Sequence, residues 1–404
     1  MATIHWCGTG LSAVPGLRRL LTEGQPLVVW NQTIEAAAAV VGDLAPDIRR
    51  YDAQELASAL RPGDVVVSML PSDMHTGLAR LAVGCRAHFV CSSYATPELR
   101  ALDGAARAAG VSVVAEMGLD PGIDHMMAHD LVAAYRASPA YDVTNALSFT
   151  SFCGGIPAQA NAFRYKFSWS PLGVLKALCA PSRSIRHFTE LAVARPWDAV
   201  TRIDAPLPVP ETFEVYPNRD SLPFMAEYGF DPAWRIKDFV RGTIRPLGWA
   251  DAWAPVFAEL ETLNGAEGDA RLRDLSDELW AKNAYAPGEP DRTVLVVALK
   301  AEHDGAVVWH QSWALDATGD MRGSAMARLV SGPAAMAAES LLLREFPAGV
   351  HGVPVDLRLI ARWLGQVQPL AQYLARRDHL QVDRRTPSSA SSSEMPSAFS
   401  PSSR

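Results

Sequence analysis

The first 120 residues alternate short apolar segments with helical segments, and this alternation limits the folds that the chain can adopt. The strand-like segments are TIHWC, PLVVWN, DVVVSMLP, HFVCSSY and VSVVAEMG. Helical segments of roughly 10–15 residues separate them, which predicts a parallel sheet with right-handed crossovers. The unbroken Val and Ala runs predict that helices cover both faces of the sheet. We therefore predict an α/β fold with a doubly wound parallel sheet in residues 1–124.

After residue 140 the pattern changes to longer, partly alternating apolar segments such as VTNALSFTSFCGG and TRIDAPLPVPETFEVYPN. The segment RTVLVVALKAEHDGAVVWHQSWAL predicts a β-hairpin that turns at Asp304 and Gly305. Two helical segments, WADAWAPVFAELETL and ARLRDLSDELWAK, interrupt the strands. We predict a second, α+β domain with a mixed sheet in residues 125–352, with a small helical insertion near residues 250–286.

The C-terminal part divides into two segments of different composition. The segment DLRLIARWLGQVQPLAQYLARR predicts a last apolar helix within residues 353–381. From Thr386 onwards the chain is rich in Ser and Pro and almost lacks bulky aliphatic side chains. Such a segment cannot bury enough apolar surface to offset its ordering entropy, so we predict a disordered tail over residues 382–404.

The composition argues against several classes of partner. The net charge of −7 argues against nucleic acid and anionic membranes, since both need a basic face. Every Ala-rich run is soon interrupted by Arg, Asp, Gly or Pro, which predicts no membrane span. The five cysteines contain no CxxC pair, and the N-terminus lacks the pattern of a secretion signal. These features predict a reduced, cytoplasmic compartment.

The segment HWCGTGLSAVPGLRRLL follows the first strand and matches G-x-G-x-x-A with Gly8, Gly10 and Ala13. Gly8 permits the tight turn, Gly10 lets the backbone approach a pyrophosphate, and Ala13 lets the helix lie close to the strand. The N-terminus of that helix faces the phosphate charge. Because the motif joins the first strand of a βαβ unit to its helix, it favours a Rossmann-type dinucleotide site over a plain glycine turn.

The end of the second strand selects between the two nicotinamide cofactors. A carboxylate there accepts a hydrogen bond from the 2′-hydroxyl of NAD and repels the phosphate of NADP. Asn31, Gln32 and Thr33 occupy this turn, and none of them is acidic. We therefore predict NADP as the cofactor, with NAD as the other possibility. Arg49 and Arg50 are the candidates for a phosphate contact from outside the turn.

The next two strands end in SMLP and CSSYATP. In an open parallel sheet, the carboxyl ends of the strands line the ligand crevice. Leu70 and Pro71, and the hydroxyls of Ser92, Ser93 and Tyr94, are therefore placed where the nicotinamide or the substrate would lie. The alternative for the two serines is capping of the helix that follows.

The segment EMGLDPGIDHMMA carries more polar groups than a strand-to-helix turn requires. Asp120 is placed to contact a substrate, or alternatively to cap the next helix with Pro121 as its first residue. The segment closely resembles the GLDPG-DH segment of saccharopine dehydrogenases of the glutamate-forming type. Other segments match the family in the same order along the chain, up to about residue 350. They are SSYATPEL, SFCGGIPA, YKFSWSPLGVL, VYPNRDSLPF, VRGTIRPLGW and GSAMARLVSGPAA.

This resemblance implies a reversible, NAD(P)-linked oxidation of the secondary amine of saccharopine. The products are glutamate and the semialdehyde of 2-aminoadipate, which places the reaction in lysine metabolism. The resemblance also implies a Rossmann domain, a mixed-sheet catalytic domain, a C-terminal helix that returns to the Rossmann domain, and a homodimer. Relatives often have Arg where this chain has Gln32, and this departure concerns the phosphate of the cofactor.

The resemblance also implies roles for individual residues. Asp120, Tyr94 and Cys153 match the active-site region of the family, although a lone cysteine is more often a small buried filler. We assign no nucleophile, because hydride transfer needs none. The three carboxylates of saccharopine require cations, and Arg219 and Arg241 match the substrate-binding positions of the family. For each arginine the alternative is a surface cation.

The complete predicted site falls into two sets. The predicted substrate contacts are Ser93, Tyr94, Asp120, Arg219, Arg241 and Thr243, with Lys166 as a weaker candidate. The predicted cofactor contacts are Gly8, Gly10, Leu11, Ser12, Ala13, Asn31, Gln32, Thr33, Leu70, Pro71, Ser92, Leu119 and Ser170.

Two histidines, His125 and His129, are spaced i, i+4 and share one face of a helix, which is a spacing that can hold zinc. The sequence HMMAH lacks the Glu of HExxH, so we predict no metal. Two alternatives to saccharopine oxidation remain open. One is an amine dehydrogenase that acts on lysine or a carboxylated polyamine, and the other is a non-catalytic NAD(P)-sensing protein.

Overall fold

The computed structural model describes residues 2–383, and the tail predicted from Thr386 onwards lies outside them. The first part of the chain alternates strands and helices as predicted. Its elements are β1 Ile4–Cys7, α1 Val14–Thr22, β2 Leu27–Asn31, α2 Ile34–Val41, β3 Asp47–Arg50, α3 Ala53–Ala59, β4 Val65–Ser68, α4 His75–Gly84, β5 His88–Cys91, α5 Pro97–Arg100, α6 Asp103–Ala109 and β6 Ser112–Val114.

These strands form one parallel sheet in the order β6-β5-β4-β1-β2-β3. The sheet order reverses direction beside β1, and ligands bind at such a switch point in open α/β sheets. Strand β3 was not predicted from the sequence, because its residues DIRR are polar and lie at the exposed edge of the sheet. The predicted doubly wound parallel sheet is confirmed.

The middle of the chain builds a second sheet. Its elements are α7 Ile123–Arg136, β7 Ala146–Pro157, α8 Pro171–Cys179, β8 Ser182–Arg186, β9 Thr189–Val193, β10 Thr201–Ala205, β11 Glu211–Pro217, α9 Pro223–Glu227, β12 Arg235–Pro246, α10 Trp249–Leu260, α11 Gly265–Asn283, β13 Asp291–His303 and β14 Ala306–Thr318. Strands β12 and β7 pair in parallel, whereas β7, β13 and β14 pair antiparallel. The sheet is therefore mixed, as predicted.

Two local predictions about this region can be compared directly with the structure. Strands β13 and β14 form the predicted hairpin, and Asp304 and Gly305 at its turn both have positive φ, 48° and 82°. That backbone conformation matches the right-handed twist of the strands. Helices α10 and α11 lie between β12 and β13 and pack with α8 around the buried side chains of Trp249 and Trp253.

The last described elements are α12 Ala325–Leu342, β15 Gly349–His351, α13 Leu357–Val367, β16 Tyr373–Asp378 and α14 His379–Asp383. Strand β15 joins the first sheet beside β6, and α12 packs on α1 and β4. Helix α13 packs on α7 and α12, and β16 then joins the second sheet beside β14. The return to the first sheet is therefore made by α12 and β15.

This arrangement differs from the single helix predicted within residues 353–381. The helix ends at Val367, where Gln368 and Pro369 begin a short 3-10 turn. Proline has no amide hydrogen to donate and does not continue a helix. The residues YLARRD after the turn therefore extend and pair with β14.

Both sheets contribute to one hydrophobic cluster, which contains Val65 of the first sheet, Leu295 of the second and Ala335 of α12. Helix α7 begins at the edge of the first sheet and then packs against β13. This shared core holds the carboxyl ends of the first sheet opposite one face of the second sheet. Among the described residues, no helix is long and apolar enough to cross a membrane.

Candidate active site

The loop between β1 and α1 is held by backbone geometry. Gly8 has φ +102°, and a Cβ at this position would lie 2.9 Å from the carbonyl oxygen of Met69. The space beside Gly10 is open, since a Cβ added there would meet no atom within 4 Å. Ala13 is buried directly before α1. Gly8 therefore allows β1 and the end of β4 to approach, and Gly10 leaves room for a ligand.

A cavity of about 550 Å³ begins at this loop and extends to the second sheet. Most of the predicted residues that line it come from the ends of first-sheet strands. The lining residues that the sequence predicted are Gly10, Leu11, Ser12, Ala13, Leu70, Pro71, Ser92, Leu119, Asp120, Cys153, Ser170 and Thr243. The lining residues that it did not single out are Met69, Gly154, Gly155, Trp169, Asn218, Arg245, Met326 and Val330.

The turn after β2 lies beside the glycine loop. Asn31 Oδ1 accepts a hydrogen bond from the amide of Thr9 at 3.2 Å, and Asn31 Nδ2 donates to the carbonyl of Thr33 at 2.8 Å. Strand β3 places Arg50 in register with Asn31, while Arg49 is ion-paired with Asp47 at 2.6 Å. Arg50 is therefore the cation placed next to this turn, on a strand that the sequence did not predict.

Asp120 lies in the loop between β6 and α7, and the structure excludes one of its two predicted roles. Helix α7 begins at Ile123 and its N-cap residue is Gly122, so Asp120 does not cap the helix. Its carboxylate instead accepts hydrogen bonds from Tyr94 Oη at 2.8 Å and from Arg241 Nη2 at 2.8 Å. Capping was the wrong alternative because two residues separate Asp120 from the first helical turn.

Arg241 connects the two domains at this point. It projects from β12, its side chain is 5% exposed, and its Nη2 contacts Asp120 as well as Asp124 Oδ2 at 2.6 Å. Its guanidinium also lies 4.0 Å from the ring centroid of Phe224. Because Arg241 is already paired with two carboxylates, its charge is compensated and it holds Asp120 in place. Its contact with a substrate carboxylate stays a prediction.

Tyr94 lies between the predicted arginines. The guanidinium of Arg219 is 5.0 Å from its ring centroid and that of Arg241 is 5.5 Å away. Within residues 2–383, Arg219 forms no ion pair. Burial raises the pKa of the Tyr94 phenol well above its ordinary value, so the phenol stays protonated and donates to Asp120.

Arg245 is a cation in the cavity wall that the sequence analysis missed. Its side chain is buried between the rings of Tyr165 and Trp249, and its Nη2 donates to Tyr216 Oη at 2.9 Å. Side chains on one face of a strand are two residues apart, so Arg241, Thr243 and Arg245 share a face of β12. The alternation in VRGTIRP was the signal that could have identified it.

The remaining predicted residues have different surroundings. Burial raises the pKa of the Cys153 thiol well above its ordinary value, which keeps it neutral. The Ser170 hydroxyl caps α8 by accepting from the Gly173 amide at 3.2 Å. Ser93 Oγ bonds to His75 Nε2 at 3.0 Å and does not line the cavity. Lys166 pairs with Glu289 at 2.6 Å, so this weaker candidate already has an anionic partner.

His125 and His129 share a face of α7 and both rings pack against Tyr228. Within the part of the chain that the structure describes, no third metal ligand lies close to both histidines. Instead, His125 Nδ1 lies 3.5 Å from Glu116 Oε2 and 3.5 Å from Glu227 Oε1, so the imidazole is surrounded by carboxylates. The absence of a metal stays a prediction.

The open backbone at Gly10, the start of α1 and the switch point beside β1 fit the pyrophosphate of a dinucleotide. A parallel nucleotide-binding sheet that faces a mixed sheet across one cavity defines a two-domain, dinucleotide-binding α/β protein. The chain belongs to the saccharopine dehydrogenase family. Residues 6–114 match the model of the saccharopine dehydrogenase NADP binding domain, and residues 118–368 match that of the saccharopine dehydrogenase C-terminal domain. The resemblance inferred from the motifs and the predicted NADP-binding domain are confirmed.

Individual relatives agree with the family models. The mitochondrial alpha-aminoadipic semialdehyde synthase of Bos taurus is 29% identical over 365 residues, which cover 73% of this chain and 38% of the relative. The NADP(+), L-glutamate-forming saccharopine dehydrogenase of Pyricularia oryzae is 34% identical over 249 residues, which cover 60% of this chain and 54% of the relative. The chain thus spans less than two thirds of the length of these curated relatives.

Solved structures share the fold. The apo saccharopine dehydrogenase (L-Glu forming) of Saccharomyces cerevisiae superimposes with a TM-score of 0.78 at 23% identity, covering 94% of this chain and 100% of that chain. The homospermidine synthase of Legionella pneumophila in complex with NAD gives a TM-score of 0.63 at 9% identity, covering 100% of this chain and 96% of that chain. At these identities the likeness concerns the fold alone.

Proposed function

We propose that this protein oxidises the secondary amine of saccharopine with NADP+. Saccharopine, NADP+ and water give glutamate, the semialdehyde of 2-aminoadipate, NADPH and a proton. The observation that carries the proposal is the position of Asp120, hydrogen-bonded to Tyr94 and Arg241, on the cavity that begins at the glycine loop. An acid–base group and a nucleotide loop thus share one cavity, as amine oxidation by hydride transfer requires.

The cofactor side of the cavity supports NADP. When bound, NADP+ supplies the hydride acceptor for the oxidation. Gly10 offers the open backbone for the pyrophosphate. The residue at the end of β2 is Asn31, so no carboxylate there repels a 2′-phosphate. Arg50, in register with Asn31 and without an ion pair within the described chain, is placed to bind that phosphate.

Asp120 and Tyr94 would carry the proton transfers. The secondary amine of the substrate must be neutral before it can lose a hydride, and the Asp120 carboxylate is the base on the cavity wall. The protonated Tyr94 phenol orients that carboxylate through a 2.8 Å hydrogen bond. The neutral Cys153 thiol lines the same cavity and contributes shape and a weak donor.

Two arginines would hold the substrate carboxylates. Arg219 has no ion-pair partner in the described chain and lies over the Tyr94 ring. Arg245 lines the cavity from β12, next to the hydroxyl of Thr243. A guanidinium can bind a carboxylate through two parallel hydrogen bonds, so these cations would fix the reacting carbon and select a polycarboxylate over free lysine.

We also propose a cytoplasmic homodimer, in keeping with the sequence prediction.

The proposal is tested by a spectrophotometric assay of purified protein with saccharopine and NADP+, with glutamate measured as the second product. We expect reduction of NADP+ and an equal amount of glutamate. The variant Asp120→Asn keeps the shape of the side chain and removes the base. We expect it to lose about 10²- to 10⁴-fold in kcat/KM. Turnover of free lysine without turnover of saccharopine would contradict the proposal.

A further inference from the structure

A row of alternating charges runs from Asp120 towards the protein surface. It passes through Asp124 and His125, the two polar residues at the start of α7. Arg241 Nη2 lies 2.8 Å from Asp120 Oδ1 and 2.6 Å from Asp124 Oδ2. His125 Nε2 then lies 3.4 Å from Asp124 Oδ2. Asp124 and His125 are fully buried, so each charge in this row depends on its neighbours for compensation.

The outer end of the row reaches solvent. His125 Nδ1 lies 3.5 Å from a carboxylate oxygen of both Glu116 and Glu227. Arg100, whose side chain is 54% exposed, follows at 3.6 Å from Glu116 and 3.7 Å from Glu227. We call these seven residues the ion row: Asp120, Arg241, Asp124, His125, Glu116, Glu227 and Arg100.

The surroundings of His125 favour its charged form. Burial acts to lower the pKa of His125, but Asp124, Glu116 and Glu227 outweigh it and raise the pKa to about 9. The other titratable groups that face the imidazole are Arg241, His129, Tyr94 and Tyr228. Burial raises the pKa of Asp124 above its ordinary value, and the charge of His125 is the largest effect that opposes this rise.

We propose that His125 is a positioning residue for the chemistry at Asp120, a role that rests on the proposed function. As an imidazolium it keeps Asp124 ionised, and the Asp124 carboxylate holds the guanidinium of Arg241 against Asp120 and Tyr94. His125 contacts neither the cavity nor a reacting atom. Without its charge, Asp124 takes up a proton at higher pH and releases Arg241, so Asp120 loses the partner that fixes its orientation.

The decisive variant is His125→Gln, with His129→Gln as the matched control on the same face of α7. In His125→Gln, activity requires Asp124 to ionise with Arg241 as its one remaining cation partner within the ion row. The acid limb of the kcat/KM profile for saccharopine should therefore move up by about one pH unit, and kcat should fall about 10-fold at neutral pH. Binding of NADPH, measured by nicotinamide fluorescence, should not change. His129→Gln should keep the wild-type profile.

A second variant changes a residue at the outer end of the ion row, where a substitution does not disturb the buried core. Glu227 is 25% exposed, and Glu227→Gln removes one anion from His125. The imidazolium should then lose its proton at lower pH, so the alkaline loss of activity, expected near pH 9 in the wild type, should begin earlier. A wild-type alkaline limb in a folded Glu227→Gln protein would count against the role of His125.

The charge of His125 can also be measured without substrate, by NMR of the 15N-histidine-labelled free protein. We expect a protonated ring at pH 7.5 whose titration midpoint falls in Asp124→Asn. A neutral ring, a stoichiometric metal ion found by elemental analysis, or an unchanged pH profile in folded His125→Gln would each overturn the inference. Failure of wild-type protein to oxidise saccharopine would instead overturn the proposed function, which keeps the two results distinguishable.

Discussion

The two sides of the cavity are built in different ways. The cofactor side consists of backbone and small side chains, and a Cβ on Gly8 would lie 2.9 Å from the Met69 carbonyl oxygen. The substrate side consists of buried ions, where Arg241 at 5% exposure pairs with Asp120 and Asp124. The cofactor side should therefore be sensitive to added volume, and the substrate side to a change of charge.

The strongest test of this difference is Arg241→Met, which keeps an apolar chain of similar length and removes the charge. Asp120 and Asp124 are then left without their shared cation, so we expect the free energy of unfolding to fall by about 3–5 kcal/mol. Urea unfolding followed by circular dichroism measures it. Arg49→Met removes an exposed pair with Asp47 and should cost less than about 1 kcal/mol. Equal losses in the two variants would break the comparison.

The next effect concerns the pH dependence of stability. The pKa of His125 in the folded protein is raised to about 9 from an ordinary value of 6.5. The stability that this group contributes is fully present below pH 6.5 and is lost as the pH rises towards 9. We expect the wild type to lose up to about 3 kcal/mol of unfolding free energy across that window, and His125→Gln to lose much less. Parallel curves for the two proteins would show that His125 is uncharged.

The two sides also differ in how far the sequence predicted them. Gly8, Gly10 and Ala13 lie within six residues of one another, and the strand before them sets their roles, so a local pattern was sufficient. The substrate side joins Tyr94 and Asp120 to Arg241, which lies 147 residues from Tyr94 in the chain. Their positions after sheet strands pointed to Tyr94 and Asp120, but no periodicity reports the contact with Arg241, and only the family resemblance pointed to that residue.

Where the predictions differ from the structure, the cause is a tertiary contact. No sequence pattern indicated the two carboxylates that folding places beside Arg241, whose contact with a substrate stays a prediction. Arg245 was missed because a charged residue in a strand is expected to face solvent, and only the tertiary structure shows that this one faces the cavity. Arg50 was named as a candidate for the phosphate contact, but the polar edge strand β3 that places it beside Asn31 was not predicted. Charged residues were therefore the hardest to place from the sequence alone.

Arg219 tests the substrate side without disturbing its buried pairs. Its guanidinium has no ion pair within the described chain, so Arg219→Ala should leave stability unchanged and lower kcat/KM for saccharopine. The loss of a charge-assisted bond to a carboxylate costs about 2–4 kcal/mol, or roughly 30- to 1,000-fold. Arg219→Lys should restore part of the loss, because the ammonium keeps the charge without the planar fork. Near-wild-type kcat/KM in Arg219→Ala would make Arg245 the remaining clamp.

The smallest expected effect lies on the cofactor side, where Asn31→Asp adds a negative charge to a turn that has no acidic residue. Asp keeps the acceptor for the Thr9 amide and loses only the donor to the Thr33 carbonyl, so the turn should hold its shape. The carboxylate repels a 2′-phosphate and accepts a hydrogen bond from a 2′-hydroxyl. The ratio of kcat/KM for NADP+ to that for NAD+ should therefore fall about 10-fold, equivalent to about 1.4 kcal/mol. Arg50→Gln is the matched control, since it should weaken NADP+ and leave NAD+ unaffected. If Asn31→Asp left the ratio unchanged while Arg50→Gln lowered it, the phosphate would bind to β3 beyond the reach of Asn31.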